Sequence, residues 1–79
     1  MYYVYILESL SNSSRHYTGF TEDIAQRLTT HNAGGVPASA PFRPWRMKTY
    51  VAFSDRSQAL SFERYLKSHS GRAFASKRL

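Results

Sequence analysis

The stretch "RHYTGFTEDIAQRLTTHN", Arg15 to Asn32, changes character halfway along. Residues 15 to 20 carry the aromatic and β-compatible side chains of a short strand. Thr21 is placed to cap a helix, and Glu22 and Asp23 supply the negative charge that a first helical turn favours. Ile24 and Leu28 then recur at helical spacing, and "AGG" at 33 to 35 ends the run near Asn32. One strand-to-helix unit therefore carries Tyr17, Arg27 and His31 within fifteen positions.

The flanking segments complete the pattern. "YYVYILE", residues 2 to 8, reads as a strand with Tyr3, Tyr5 and Leu7 on one face and Val4 and Ile6 on the other. The polar "SLSNSS" that follows predicts a turn and an antiparallel return. A loop with Pro37, Pro41 and Pro44 separates the first helix from "WRMKTYVAF", residues 45 to 53. That run alternates: Trp45, Met47, Thr49, Val51 and Phe53 face one way, and Arg46, Lys48 and Tyr50 face the other. "DRSQ" at 55 to 58 has the form of a capping box and opens a second helix through about residue 68. Residues 68 to 79 form a basic tail or a short helix. The expected fold is α+β, in the order β-β-α-β-α, with a three-stranded antiparallel sheet flanked by helices in one domain spanning residues 1 to 79.

Composition narrows the functional classes. Eleven Lys and Arg against five Asp and Glu give a formal charge of +6 and a pI near 10.1. A field of that sign on a chain of 79 residues favours a polyanionic partner. The opening segment is too short and too aromatic for a membrane span and lacks a basic leader. The absence of cysteine fits a reducing compartment. A soluble, cytoplasmic protein that binds nucleic acid and no membrane is the expectation.

On a helical wheel Arg27 and His31, four apart, lie at the edge of the Ile24/Leu28 stripe and face the strand tyrosines. In the second helix Ala59, Leu60, Phe62 and Leu66 form the apolar arc, and Glu63 lies within it. Singly, each has a structural explanation: packing tyrosines, a hydrogen-bonded core histidine, a Glu63–Arg27 ion pair. Together they suit phosphodiester cleavage. A carboxylate holds a hard divalent cation such as Mg²⁺ or Mn²⁺, an arginine matches phosphate geometry, and a phenol or imidazole accepts a proton from water. A phenol's resting pKa of about 10 means that such a base needs a cation beside it. No Gly-rich phosphate loop, HExxH, G-x-S-x-G or Cys/His zinc spacing offers a rival chemistry.

The segments "YVY" (Tyr3 to Tyr5) and "YTG" (Tyr17 to Gly19), followed by "RLTTHN" and Glu63, resemble the ordered motifs of the GIY-YIG nuclease superfamily, especially its small stand-alone members. The resemblance implies that Glu63 ligates a single divalent ion, Mg²⁺ or Mn²⁺, and that Arg27 clamps the phosphate. It sets Tyr5 and Tyr17 beside the attacking water, with His31 as a base or as the group that orients one. It also implies that Gly19 permits a tight approach between the second strand and the first helix. Tyr3 stands where the family's first glycine is usual, and Thr18 stands in place of the middle isoleucine. No asparagine follows Asn32, so the supporting role of the late asparagine found in many members is absent or falls to another group such as Lys67 or Ser70.

The implied activity is a metal-dependent endonuclease acting on DNA more than RNA, of the kind used in DNA repair. Arg43, Arg46, Lys48, Arg64, Lys67, Arg72, Lys77 and Arg78 are the candidate nucleic-acid contacts. Phosphate contacts of this type give affinity with little base readout, which points to recognition of structure over sequence. The alternative is a non-catalytic nucleic-acid-binding module that retains the fold and stacks bases on Tyr and Phe.

Overall fold

The computed structural model describes residues 1–79. The elements are β1 (Tyr2–Ser9), β2 (His16–Thr21), α1 (Ile24–Asn32), a single 3-10 turn at Ala40–Phe42, β3 (Trp45–Phe53), α2 (Arg56–Leu66) and α3 (His69–Arg78). The α+β class and the three-stranded antiparallel sheet are as expected, and the basic C-terminal segment adds a third helix. Ser68 starts that helix by accepting a hydrogen bond from the Gly71 amide at 3.1 Å.

The strand order β2-β1-β3 puts β1 in the centre, where both of its faces are covered. Val4 and Ile6 pack with Ala59 and Leu66 of α2, with Phe20, Phe53 and Ala75 around them. Burial of each of Val4, Ile6 and Leu66 contributes roughly 1.5–3 kcal/mol. Tyr5, Leu7 and Trp45 form the core of the opposite face, closed by Ile24 and Leu28 of α1 and by Phe42. The alternation of β1 is thus two half-cores back to back.

β3 departs from the strict alternation expected of it. Ile6 pairs with Thr49 but Leu7 pairs with Met47, so Lys48 is an extra residue in a β-bulge. The bulge reverses the side-chain parity. Trp45 and Met47 join the Tyr5/Leu7 face, while Val51, opposite Val4, and Phe53, opposite Tyr2, join the Val4/Ile6 face. Tyr50 lies opposite Tyr5, and Arg46 lies opposite Glu8. The expected face of Arg46, Lys48 and Tyr50 is therefore split.

Helix boundaries follow local hydrogen bonding. The N-cap of α1 is Asp23, whose Oδ1 accepts from the Gln26 amide at 3.0 Å. Thr21 instead accepts from the Asp23 amide at 3.1 Å and closes the preceding turn, so Glu22 and Asp23 lie before the first helical turn. At the other end Gly34 has φ +82°, the left-handed conformation that glycine adopts without penalty. The Gly35 amide bonds to the Thr30 carbonyl and the Gly34 amide to the His31 carbonyl, the paired bonds of a Schellman ending. Asp55 caps α2 by accepting from the Ser57 amide at 3.3 Å.

Candidate active site

Tyr5 and Gly19 are cross-strand partners. A Cβ on Gly19 would collide with the Tyr5 hydroxyl and ring edge, so the glycine leaves the space that the phenol fills. Its tight approach is thus to Tyr5 across the sheet, where the resemblance implied an approach to the first helix.

The phenol is the centre of a buried chain of hydrogen bonds. Arg27 Nε donates to the Tyr5 hydroxyl at 3.1 Å, and the hydroxyl meets His31 Nε2 at 2.9 Å. His31 Nδ1 meets Ser39 Oγ at 2.7 Å, and Ser39 Oγ donates to the Val36 carbonyl at 3.3 Å. These partners assign the imidazole tautomer: Nδ1 carries the proton for Ser39, and Nε2 accepts from Tyr5. In this assignment every hydrogen in the chain has an acceptor. Tyr5, His31 and Ser39 are all fully buried, and no buried polar side-chain atom lacks a partner.

Burial sets the protonation states. Tyr5 is pushed above the ordinary tyrosine value by desolvation, against the opposing hydrogen bond and charge of Arg27. His31 is pushed below the ordinary histidine value by burial and then by the nearby Arg27 charge. The hydrogen bond with Tyr5 strengthens the hold of Arg27 on its proton. At neutral pH the trio is a cation, a neutral phenol and a neutral imidazole.

Tyr17 lies edge-on to His31 with ring centroids 4.7 Å apart, and its ring stacks at 6.4 Å on Tyr5. It is half-buried, as is Arg27, so both present atoms to solvent while Tyr5 and His31 do not. Four of the residues singled out from the sequence, Tyr5, Tyr17, Arg27 and His31, therefore form one cluster.

Glu63 approaches from α2. Its charge reaches Tyr5 as the weakest of the influences on that phenol. Its Oε2 accepts from Lys67 Nζ at 3.1 Å, one helical turn on, so its ion-pair partner is Lys67 and not Arg27. Oε1 has no protein partner, and the side chain is 20% exposed. No group of three or more His, Cys, Asp or Glu is assembled anywhere, which excludes a closed zinc-type cage. A lone carboxylate with one free oxygen fits Mg²⁺ or Mn²⁺, which keep several waters and bind through one or two carboxylates plus substrate phosphates.

Of the candidate nucleic-acid contacts, Lys48, Lys67 and Arg72 line one cleft and the others are scattered. Arg46 donates to Glu8 at 2.5 Å and Arg43 donates to the Ala40 carbonyl at 2.8 Å. Lys48 and Arg72 have no ion-pair partner, and Arg64, Lys77 and Arg78 are exposed along α2 and α3.

Two supporting residues carry little signal in the sequence. Ser39 orients His31 from within the proline-rich loop, and its backbone carbonyl accepts from Trp45 Nε1 at 2.9 Å. Asn32 clamps the first residue of β3: its Oδ1 accepts from the Trp45 amide at 2.6 Å, and its Nδ2 donates to the Trp45 carbonyl at 3.1 Å. Only Asn32 stands beside a residue that the sequence marked, as the second residue of "HN", where it fastens the helix to the sheet.

The GIY-YIG catalytic domain matches residues 1–77 of the chain. A UPF0213 protein of Lacticaseibacillus paracasei is 42% identical over 67 residues, covering 84% of this chain and 73% of the relative. A UPF0213 protein of Haloquadratum walsbyi is 39% identical over 70 residues, covering 87% and 76%. The structure-specific endonuclease subunit SLX1 homolog of Giardia intestinalis is 38% identical over 65 residues, 77% of this chain but only 18% of that longer protein. With the match spanning nearly every residue and the fold in the expected order, the chain belongs to the GIY-YIG catalytic domain family, a family of nucleases.

Proposed function

We propose that the protein is a divalent-metal-dependent endonuclease that hydrolyses phosphodiester bonds, selecting DNA by structure. The observation that carries this reading is the Arg27–Tyr5–His31–Ser39 chain behind the half-buried Tyr17, Arg27 and Glu63. A relay in which every proton is assigned fixes the guanidinium by its Nε and leaves its outer nitrogens for a phosphate.

In this reading Arg27 binds the phosphate and stabilises the charge that develops on it. Tyr17, the accessible phenol, touches the attacking water. Tyr5 and His31 are positioning residues: buried and neutral, they hold Arg27 and Tyr17 in place. Glu63 is the residue that would hold a divalent cation. When bound, a divalent ion polarises a phosphoryl oxygen and stabilises the departing one. Lys67, on one oxygen of Glu63, adds positive charge to the same place.

Preference for DNA structure is supported by two observations. The printed name of the Giardia relative is a structure-specific endonuclease subunit, and the net charge of +6 suits phosphate contacts that carry little base information. The test is cleavage of labelled flapped, four-way-branched and single-stranded DNA, with an RNA control, in Mg²⁺, Mn²⁺ or EDTA. Metal-dependent cutting of branched or flapped DNA that Arg27→Ala and Glu63→Gln abolish while still folded is the expected result. Salt-sensitive binding without cutting under any condition would contradict it and leave a binding module.

A further inference from the structure

A second concave surface lies beyond the candidate site, on the Val4/Ile6 face of the sheet. It is a cleft of about 800 Å³ between the strands and the corner where α2 meets α3. Ile6, Leu66 and Ala75 supply apolar lining, and Arg15, Lys48, Lys67 and Arg72 supply positive charge. The only carboxylate in the cleft is Glu8, which already accepts from Arg46 and His16. Lys48 and Arg72 have no ion-pair partner of their own.

The bulge in β3 is what turns Lys48 toward this cleft. Under regular pairing the residue before Thr49 would lie opposite Leu7 on the other face of the sheet, but Met47 takes that place and Lys48 becomes the extra residue. Bulges recur where a side chain must be re-aimed.

Tyr17 and Lys67 line the cleft and also belong to the candidate site, one against His31 and the other on Glu63. The two surfaces therefore adjoin at these residues, the Tyr17 ring itself packing on the Tyr5/Leu7 face at the strand edge. We infer that this cleft binds a single-stranded segment of nucleic acid, the unpaired strand that runs on from the scissile phosphate. Lys48 and Arg72 contact its phosphates, its bases lie over the cleft floor where Ala75 is half-buried, and Tyr17 marks the junction with the site. Apolar lining under a cationic rim is the pairing of surfaces that an unstacked nucleotide presents. The volume lies within the range of about 300–1,000 Å³ typical of small-ligand clefts, the scale of an unpaired nucleotide and not of a duplex segment. The inference rests on the nuclease reading only in identifying that strand as part of a substrate.

The test uses the whole chain and an oligothymidine of about six nucleotides, with a duplex of the same length and inorganic phosphate as controls. Amide chemical-shift mapping is expected to show the single strand perturbing Ile6, Lys48, Leu66, Arg72 and Ala75. The Lys48→Met/Arg72→Gln double variant is expected to bind it more weakly. Its plot of log K against log salt should be shallower by about 1.4, the loss of two single-strand phosphate contacts at about 0.7 each. Perturbations that miss the cleft, an unchanged salt slope in a folded double variant, or equal occupancy of the cleft by duplex or free phosphate would overturn the inference. Cleft binding by a protein that cuts no substrate supports it and removes only the nuclease reading. Cutting by a protein whose cleft stays unperturbed overturns it and leaves the nuclease reading intact.

Discussion

The Tyr5 hydroxyl and His31 Nε2 meet at 2.9 Å across 26 residues of chain, in a place with no solvent exposure on either side chain. Tyr5→Phe keeps the ring and removes both bonds of the hydroxyl. It leaves His31 Nε2 buried without a donor, which costs about 1–3 kcal/mol. Thermal denaturation should show a fall of roughly 4–8 °C per kcal/mol, and cleavage should fall with it because Arg27 loses its Nε anchor. An unchanged midpoint would mean that the bond is not made in solution.

Gly19→Ala tests the space beside that phenol. The added methyl collides with the Tyr5 ring edge and hydroxyl, and both groups are held by the sheet. Overpacking of this kind costs about 1–3 kcal/mol. The loss of cleavage should exceed what unfolding explains, because relief comes by moving the hydroxyl away from Arg27. Assays well below the variant's melting temperature separate the two effects.

The pH dependence follows from His31. Its folded-state pKa lies below the ordinary histidine value, so in the window beneath about 6.5 the unfolded chain binds a proton that the folded chain does not. The unfolded state then holds more protons, and stability falls as pH drops, by up to about 1.4 kcal/mol per pH unit. Above that window the contribution is fully present. Urea titrations between pH 8 and 5 should show the decline in the native protein and a flatter profile in His31→Gln.

The fold was legible because each local signal agreed with the next. β1 alternates, α1 ends on glycines, and β3 starts at Trp45 where the prolines stop. The bulge at Lys48 was not legible, since alternating sequence gives no sign that one residue will be left unpaired. The cap of α1 went to Asp23 over Thr21 because the two compete for the same turn, and only the backbone path decides between them. In the site, the spacing of Arg27 and His31 placed both against Tyr5, but Ser39 sits in a loop with no periodicity to mark it. The Glu63–Lys67 pair was available as an i, i+4 spacing, yet spacing alone does not choose between Lys67 and Arg27.

Lys67→Met probes that pair. The ammonium engages one oxygen of Glu63, so its removal frees the whole carboxylate. The rise in melting temperature on adding Mn²⁺ should be reached at lower metal concentration in Lys67→Met and be absent in Glu63→Gln. Equal Mn²⁺ responses in all three proteins would dissociate Glu63 from metal binding.

In the proposed reaction Tyr17, Arg27 and Glu63 act on one phosphate as a unit. The most direct measurement is the single-turnover rate on a flapped DNA for Tyr17→Phe, Arg27→Ala, Glu63→Gln and the triple variant. Residues that act as a unit are grossly non-additive, so each single variant should lose nearly as much rate as the triple. Losses that multiply across the three, or a single variant that cuts at the native rate, would contradict a shared site.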